Sequence, residues 1–496
     1  MKKYWIIGAA ALCLAACTEK QNEPAPEPIS FDEFGFTVAD NPDVLFADNI
    51  VVSPSAGPLA ITLPSGTPED ALKALVPYFS VEEGAVVTVN GEEIKSGKST
   101  IDFSSDVDIY ISKEKRNAMY SVSVSAKPVS SWKLVATSTV AFDTDPEMVL
   151  NPVDNVPYIA EILKAEESVN EKPVLYRLEG AQFENLVSDG TITSTTASLI
   201  TLNFDSDGIP YTMFVDKSLN TSRVSVFKVE NGKATAIGEQ ASIYAISGKG
   251  YVFPVSSSEV WALSQNNERN LTDIARRSMN VSKFNGQAWS NAEAVTGRES
   301  DAYCYNPKGK TIDGKHYFFS HNQNKKTVSF YTYENGAWVS IFENLKIMKP
   351  NSTEEMTEIF AIPMDFDVDA NGNVYFICAC QFESDAYNYA LVKYDPKAKT
   401  QSIIGGVMTN ITANSKDKIS FGLDDLNTPY LAYKLAATSA VTYITHIDMA
   451  TKTWSEPVAI NAVAGGAPTL VFANDGTGYI AVKNSETDFV EIYSNK

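Results

Sequence analysis

Basic side chains cluster on two predicted loops of this 496-residue chain. Four of its seven arginines fall between positions 269 and 298. Arg276 and Arg277 end the longer loop, and Arg298, Glu299 and Asp301 lie on the next one. A guanidinium group presents a planar fork of donors that suits carboxylates and sugar hydroxyls. These five residues therefore form a candidate ligand site, with solvated loops paired to nearby acids as the alternative.

Two further polar residues are predicted to extend this candidate site. His321 opens the segment His-Asn-Gln-Asn, and Gln381 opens a polar segment one repeat later. Both follow predicted strands, and loops after equivalent strands of a radial repeat are expected on one face. The sequence therefore predicts that His321 and Gln381 lie beside the arginine loops.

No catalytic motif stands out in the sequence. The three histidines are His316, His321 and His446, and none lies in a nucleophile or metal-ligand motif. Paired carboxylates could cleave a glycoside, but their separation in space decides this and cannot be deduced from sequence. No catalytic residue is assigned, and enzyme activity is kept only as an alternative.

Two short segments have the oxygen spacing of a calcium loop. They are residues 203–208 and 367–372, each with a glycine at the sixth position. A calcium loop also needs a bidentate Glu at its twelfth position. Phe214 and Cys378 stand there instead. We therefore interpret both segments as hairpin turns, with an unusual calcium site as the alternative, and expect no metal and no cofactor.

Cys17 is predicted to carry lipid. The chain starts with positively charged residues, followed by about 12 apolar ones. This apolar run is too short for a membrane span, which needs roughly 20 residues. The run ends in Leu14-Ala15-Ala16-Cys17, which resembles the bacterial lipobox. The resemblance implies that residues 1–16 are a signal peptide, that Cys17 is acylated, and that 17–30 form a polar tether. A plain secretory cleavage site is the alternative.

Overall charge narrows the range of partners. The chain has 40 basic and 61 acidic residues, a formal net charge of −21. So acidic a surface does not favour nucleic acid or anionic lipid. We expect that the protein binds no nucleic acid and that it reaches a membrane through its lipid anchor. We expect its ligand to be a glycan, a peptide or a protein.

A repeat marked by tyrosine predicts the architecture of residues 132–496. Seven times a tyrosine follows a turn-like stretch and opens an apolar run, at Tyr158, Tyr211, Tyr251, Tyr317, Tyr375, Tyr430 and Tyr479. The mean step of about 53 residues is typical of propellers and solenoids. Each repeat can be divided into four strands, so the pattern predicts a seven-bladed β-propeller.

The last repeat lacks a fourth strand. Trp132–Ala136 is an unpaired strand before the first repeat and is predicted to complete the last one. Such closure removes exposed strand edges. Recurring tryptophans on the outer strands are predicted to pack between blades. Cys378 and Cys380 alternate on one strand and are predicted to face the same side as small core residues.

Residues 31–127 lack the repeat and contain short β-branched runs, with an Asn90-Gly91 hairpin turn. About a hundred residues of this kind suggest a β-sandwich. The segments 63–67, 75–77 and 87–91 resemble the Ig-like module near the N-terminus of many Bacteroidota surface lipoproteins. The resemblance implies a spacer or adhesion module without catalytic residues.

The fold class expected is thus all-β, an Ig-like β-sandwich followed by a seven-bladed β-propeller closed by an N-terminal strand. The function expected is a binding or adhesion protein, lipid-anchored in the bacterial outer membrane at the cell surface, with the ligand site on the propeller face. Two alternatives remain. One is a carbohydrate-active enzyme with paired carboxylates on that face, and the other is a scaffold subunit of an outer-membrane assembly.

Overall fold

The computed structural model is almost entirely β-structure. It describes residues 29–496, apart from 46–48, 55–56, 65–66, 128–130, 165–171, 188–191, 193–196, 217–222, 240, 267–277, 296–303, 351, 356–364, 382–385, 415–416, 437–440, 449–450 and 462–465. Within that part, the one helix is a short 3-10 helix, Glu69–Ala74. No helix in the described residues is long and apolar enough to cross a membrane.

Two sheets form the N-terminal part. Their strands are β1 (Phe31–Phe36), β2 (Ile50–Val52), β3 (Leu59–Leu63), β4 (Pro77–Val81), β5 (Val86–Val89), β6 (Glu92–Glu93), β7 (Val107–Lys113) and β8 (Arg116–Ala126). The strand orders are β2-β1-β4 and β3-β8-β7-β5-β6. β3 and β8 pair in parallel, and the other pairs are antiparallel.

Aromatic residues form the core shared by these two sheets. Phe34, Phe36 and Phe103 are fully buried, and the rings of Phe36 and Phe103 meet edge to face at 5.5 Å. The predicted hairpin turn is confirmed. Asn90 and Gly91 both adopt positive φ, 51° and 82°, which a tight two-residue hairpin requires.

The remaining strands form groups of about four. They are β9 (Lys133–Thr137), β10 (Glu147–Leu150), β11 (Pro157–Leu163), β12 (Lys172–Glu179), β13 (Gln182–Asn185), β14 (Ala197–Phe204), β15 (Pro210–Asp216), β16 (Arg223–Glu230), β17 (Lys233–Ala236), β18 (Ala241–Ser256), β19 (Glu259–Asn266), β20 (Met279–Phe284), β21 (Glu293–Ala294), β22 (Cys304–Ile312), β23 (Lys315–Asn322), β24 (Thr327–Glu334), β25 (Ala337–Leu345), β26 (Asp365–Val368), β27 (Val374–Cys380), β28 (Asn388–Asp395), β29 (Thr400–Thr412), β30 (Lys418–Leu423), β31 (Pro429–Lys434), β32 (Thr442–Asp448), β33 (Thr453–Trp454), β34 (Val458–Asn461), β35 (Thr469–Phe472), β36 (Gly478–Lys483) and β37 (Val490–Ser494).

These strands pair antiparallel in chain order. The sheets are β10 to β13, β14 to β21, β22 to β25, β26 to β29, β30 to β34, and β35 to β37 with β9. The second of them contains two groups of four, joined where β16 also pairs with β18. The first strands of the groups, β10, β14, β18, β22, β26, β30 and β35, contact one another in that order, and β35 also contacts β10.

The strand predicted at Trp132–Ala136 takes the predicted place. It is β9, Lys133–Thr137, and it pairs antiparallel with β37. Ala136, opposite Ile492, is buried, whereas Leu134 on the same strand is 52% exposed. β9 therefore supplies the fourth strand of the last sheet.

The tyrosine repeat is confirmed at six positions and wrong at one. Six of the tyrosines lie within the first three residues of the second strand of their sheets. Tyr251 instead lies within β18, a first strand, opposite Leu263. In that sheet, Trp261 of β19 pairs with Phe253, near the end of the first strand.

Tryptophans pack between neighbouring groups of strands, as predicted. Trp338 of the fourth group contacts Phe253 of the third, with ring centroids 5.0 Å apart. Trp289 donates through Nε1 to the carbonyl of Ile237, 2.7 Å away, in the preceding group. These contacts cover the sheet faces that strand pairing leaves open.

An ion pair connects the two parts of the chain. Lys127 follows β8, and its Nζ lies 2.9 Å from Asp424 and 2.5 Å from Asp425. Both aspartates lie in the turn between β30 and β31. Burial would lower the pKa of Lys127, but the two carboxylates outweigh it and the pKa is raised. The end of the N-terminal part is thus held against a turn of the sixth group.

Candidate functional site

A cavity of about 350 Å³ lies among the first strands of the groups. We call it the central cavity. Its polar lining includes Glu147, Tyr251, Lys308, Lys310, Asp365, Asp367, Ser420 and Thr469, from six of these strands. It extends to turn residues such as Asn155, Asp313 and Asn474. Neighbouring first strands belong to different hairpins, so polar side chains reach across to satisfy their backbone groups.

Asp365 is the most constrained carboxylate of the central cavity. Its side chain is fully buried. Oδ1 accepts from the backbone N–H of Phe366 at 2.8 Å, and Oδ2 accepts from the N–H of Phe421 at 2.8 Å and from Ser420 Oγ at 3.3 Å. Burial would raise the pKa of Asp365, but Lys308 and Lys310 lower it, so the group is held ionised.

Lys310 and Asp367 connect β26 to the neighbouring first strands β22 and β30. Lys310 Nζ lies 3.0 Å from Asp365 Oδ1 and donates to the carbonyls of Phe366, at 2.6 Å, and Phe421, at 3.0 Å. Asp367 Oδ2 accepts from the N–H of Leu423 at 2.9 Å. Burial raises the pKa of Asp367 despite the nearby Lys310. These contacts join three chain segments more than 50 residues apart.

Lys308, Glu147 and Tyr251 form a second, looser set of polar groups. Lys308 Nζ is 3.7 Å from Asp365 Oδ2, beyond hydrogen-bond distance, and its side chain remains 26% exposed. Burial opposes the charge on Lys308, but Asp365 outweighs it and the pKa is raised. Burial raises the pKa of Glu147, which Lys308 partly opposes, and also raises that of Tyr251. These three groups line the cavity together.

Most of the site residues proposed from sequence lie outside the described residues. They are Cys17, Arg276, Arg277, Arg298, Glu299 and Asp301. Of the other two, Gln381 directly follows β27 and is half-buried, and His321 lies near the end of β23. The structure therefore places His321 and Gln381 at the ends of the second strands of adjacent sheets. Their position beside the arginine loops stays a prediction.

His321 is buried rather than presented on a surface. It has no exposed area, and neither ring nitrogen has a hydrogen-bond partner among the residues that the structure describes. Burial lowers the pKa of His321 to about 4. β23 thus places the ring of His321 inside the protein, and its contact with a ligand stays a prediction.

Replacing His321 with leucine should reduce the acid sensitivity of the protein. Its pKa lies below the ordinary value of 6.5, so the folded state disfavours the charged ring. Protonation of His321 therefore does not affect the free energy of unfolding above pH 6.5. It lowers that free energy as the pH falls towards 4, by up to about 3 kcal/mol. Urea unfolding at pH 7.5 and 5.0 can measure this difference. An equal pH dependence in both proteins would show that His321 is not responsible.

The calcium-like segments form hairpin turns, as interpreted. Asp205 Oδ1 accepts from the N–H groups of Asp207 and Ile209, each at 3.0 Å. Asp369 Oδ1 accepts from Asn371 and Asn373 at 2.9 Å. The carboxylates thus cap their own turns. In the part of the chain that the structure describes, no group of three metal-ligating side chains is close enough to hold an ion.

Cys378 and Cys380 face the same side of β27, as predicted. Both are fully buried, with Sγ atoms 3.8 Å apart. Burial raises the pKa of the Cys380 thiol well above its ordinary value. The pair therefore behaves as small core residues.

Comparisons with known proteins give weak likenesses. No protein-family model matches the sequence, and no curated protein matches it. The fold is similar to that of an ulvan lyase from a new polysaccharide lyase family, with 10% identity over 72% of this chain and 95% of that one and a TM-score of 0.46. An alpha-L-arabinanase of Penicillium chrysogenum shows 11% identity over 60% and 92%, with a TM-score of 0.36. At scores of this size, neither likeness assigns an activity to this chain.

The central cavity was not predicted from sequence. The ligand site was expected on loops, whereas Lys308 and Asp365 lie on first strands. One signal was present, since Lys308 and Lys310, and Asp365 and Asp367, each stand two residues apart on their strands. Alternation of charge on an inner strand indicates one polar face.

Proposed function

We propose that this protein is a lipid-anchored binding protein of the cell envelope. Its seven groups of strands are the blades of a closed propeller, its N-terminal sheets are an Ig-like spacer, and its ligand site is the central cavity. The observation that carries the proposal is the cavity itself. It is large enough for a small polar ligand, and Glu147, Tyr251 and Lys308 line it.

The anchor in this proposal is Cys17. The lipobox pattern and polar tether support it, and two or more acyl chains would hold the protein stably at a membrane. Cys17→Ala should move the protein from the membrane fraction to the soluble fraction, as measured by fractionation and immunoblotting. The matched variant Cys13→Ala, within the signal segment, should remain membrane-bound. Equal membrane association of the Cys17 variant would rule out this anchor.

The ligand site can be located by hydrogen exchange. Purified full-length protein would first be screened against soluble glycans, sugar acids and peptides by thermal shift. Amide exchange would then be measured with and without each ligand that binds. Protection of β10, β22 and β26 is expected. Protection confined to residues 267–277 and 296–303 would place the site on the arginine loops instead.

One observation favours a carbohydrate-active enzyme as a second candidate. Glu147 has a raised pKa and Asp365 a lowered one in the same cavity, and such a split is typical of an acid and base pair. However, the oxygens of Asp365 already accept hydrogen bonds from the surrounding chain. Reducing-sugar release from soluble polysaccharides that disappears in Glu147→Gln would establish this alternative.

A further inference from the structure

The cationic groups of the central cavity are not equivalent. An ammonium group has three protons to donate. Those of Lys310 are matched by three acceptors, namely Asp365 Oδ1 and the carbonyls of Phe366 and Phe421, at 2.6 to 3.0 Å. Lys310 is therefore saturated by the protein and serves to hold the first strands together.

Asp365 is saturated in the same way. A carboxylate has about four lone-pair positions. Oδ1 accepts from Phe366 and Lys310, and Oδ2 accepts from Phe421 and Ser420. This leaves Lys308 at 3.7 Å, without a hydrogen bond to Asp365. Lys308 and Asp365 therefore attract each other by charge, and the ammonium of Lys308 keeps donors that Asp365 does not take.

Lys308 thus brings unused donors to the cavity. Among the described residues, its ammonium makes no hydrogen bond within 3.5 Å. Glu147 also lines the cavity, and burial raises its pKa. A partly buried cation without a hydrogen-bonded partner is unfavourable, and an anionic ligand group would remove that cost.

Other polar groups of the lining suit hydroxyls. The Tyr251 hydroxyl can donate or accept, and the Glu147 carboxyl can accept or, when protonated, donate. Thr469 and Asn203 also line the cavity, although each already donates to the chain. The lining thus combines Lys308, whose ammonium makes no hydrogen bond among the described residues, with polar groups that suit hydroxyls.

We propose that the central cavity selects polyhydroxylated ligands that carry a carboxylate, the chemical class of sugar acids, and that Lys308 binds the carboxylate. This inference rests on the proposed function, since it names the ligand class of the same cavity. It differs from recognition by the arginine loops, because the anion is held by a residue of β22.

Titration calorimetry can test the inference with defined probes. The full-length protein would be titrated with D-glucuronate, D-galacturonate and D-gluconate, and with D-glucose and D-galactose as neutral counterparts. At least one acid should bind at least about tenfold more tightly than its neutral counterpart. Lys308→Met should weaken that binding at least about tenfold, a loss typical of one charge-assisted hydrogen bond. Lys308→Arg should retain most of it.

Lys315→Met is the matched control. Lys315 opens β23 on the same hairpin and is exposed, so its loss should leave affinity unchanged. Melting temperatures would identify a variant that fails to fold. If Lys308→Met fails to fold, the affinity of Lys308→Arg is compared with that of the unchanged protein instead. Neutral sugars that bind and protect β10 and β22 as well as the acids do would overturn the inference and leave the proposed function standing. No binding by any probe, with no protection of these strands by any ligand, would overturn both.

Discussion

A chain that begins at Ala141 should lose the cooperative unfolding of the full-length protein and should aggregate. Without β9, the outer edge of β37 has no partner, and an unpaired strand edge is a template for association. Val490 and Ile492, which are fully buried, would lose part of their cover. The loss should approach the whole stability of a domain, about 5–15 kcal/mol. Thermal unfolding and light scattering can measure it.

Point variants separate this effect from the loss of the N-terminal sheets. Ala136→Asp places a charge in the buried interface and should cost at least about 3 kcal/mol. Leu134→Asp changes an exposed side chain two residues away on the same strand. It should lower the free energy of unfolding by less than about 0.5 kcal/mol. A truncated chain with an unchanged melting temperature, or equal costs for the two variants, would show that β9 is dispensable.

Asp365→Ala should lower the free energy of unfolding by about 3–5 kcal/mol, which is typical when one partner of a buried ion pair is removed. The change leaves Lys310 without its carboxylate and leaves the N–H of Phe421 without an acceptor. Urea unfolding at pH 7 can measure the loss. Asp207→Ala removes an exposed carboxylate and serves as the control.

A double-mutant cycle makes the same prediction more specific. Asp365→Ala combined with Lys310→Met should recover part of the loss, because no uncompensated ammonium then remains at that position. We expect the two residues to be coupled by more than about 1 kcal/mol. Additive effects, or a cost for Asp365→Ala no larger than for the control, would contradict the assigned role of this ion pair.

Local patterns in the sequence predicted much of the strand arrangement. Asn90-Gly91 predicted its hairpin because both residues tolerate positive φ. The strand at Trp132–Ala136 was identifiable because the last repeat was one strand short. In contrast, Tyr251 follows a turn-like stretch in sequence, yet pairing places it in β18. Strand register depends on partners far away in the chain, and no local signal reveals it.

The site was harder to predict for a related physical reason. Asp365 contacts Lys310 and Phe421, which lie about 55 residues away on either side. Their contact depends on how the first strands meet, and a single sequence does not contain that geometry. The sequence does show which residues are charged, but not that Lys310 forms three hydrogen bonds with the chain whereas Lys308 lies 3.7 Å from Asp365.

The account depends most on the assignment of the central cavity as the ligand site. A crystal structure of the full-length protein with the tightest-binding sugar acid of the calorimetric panel tests this most directly. We expect the ligand in the cavity, with its carboxylate about 2.7–2.9 Å from Lys308 Nζ and hydroxyls beside Glu147 and Tyr251. A ligand bound by the loops at 267–277 and 296–303, with the cavity holding only water, would contradict the account.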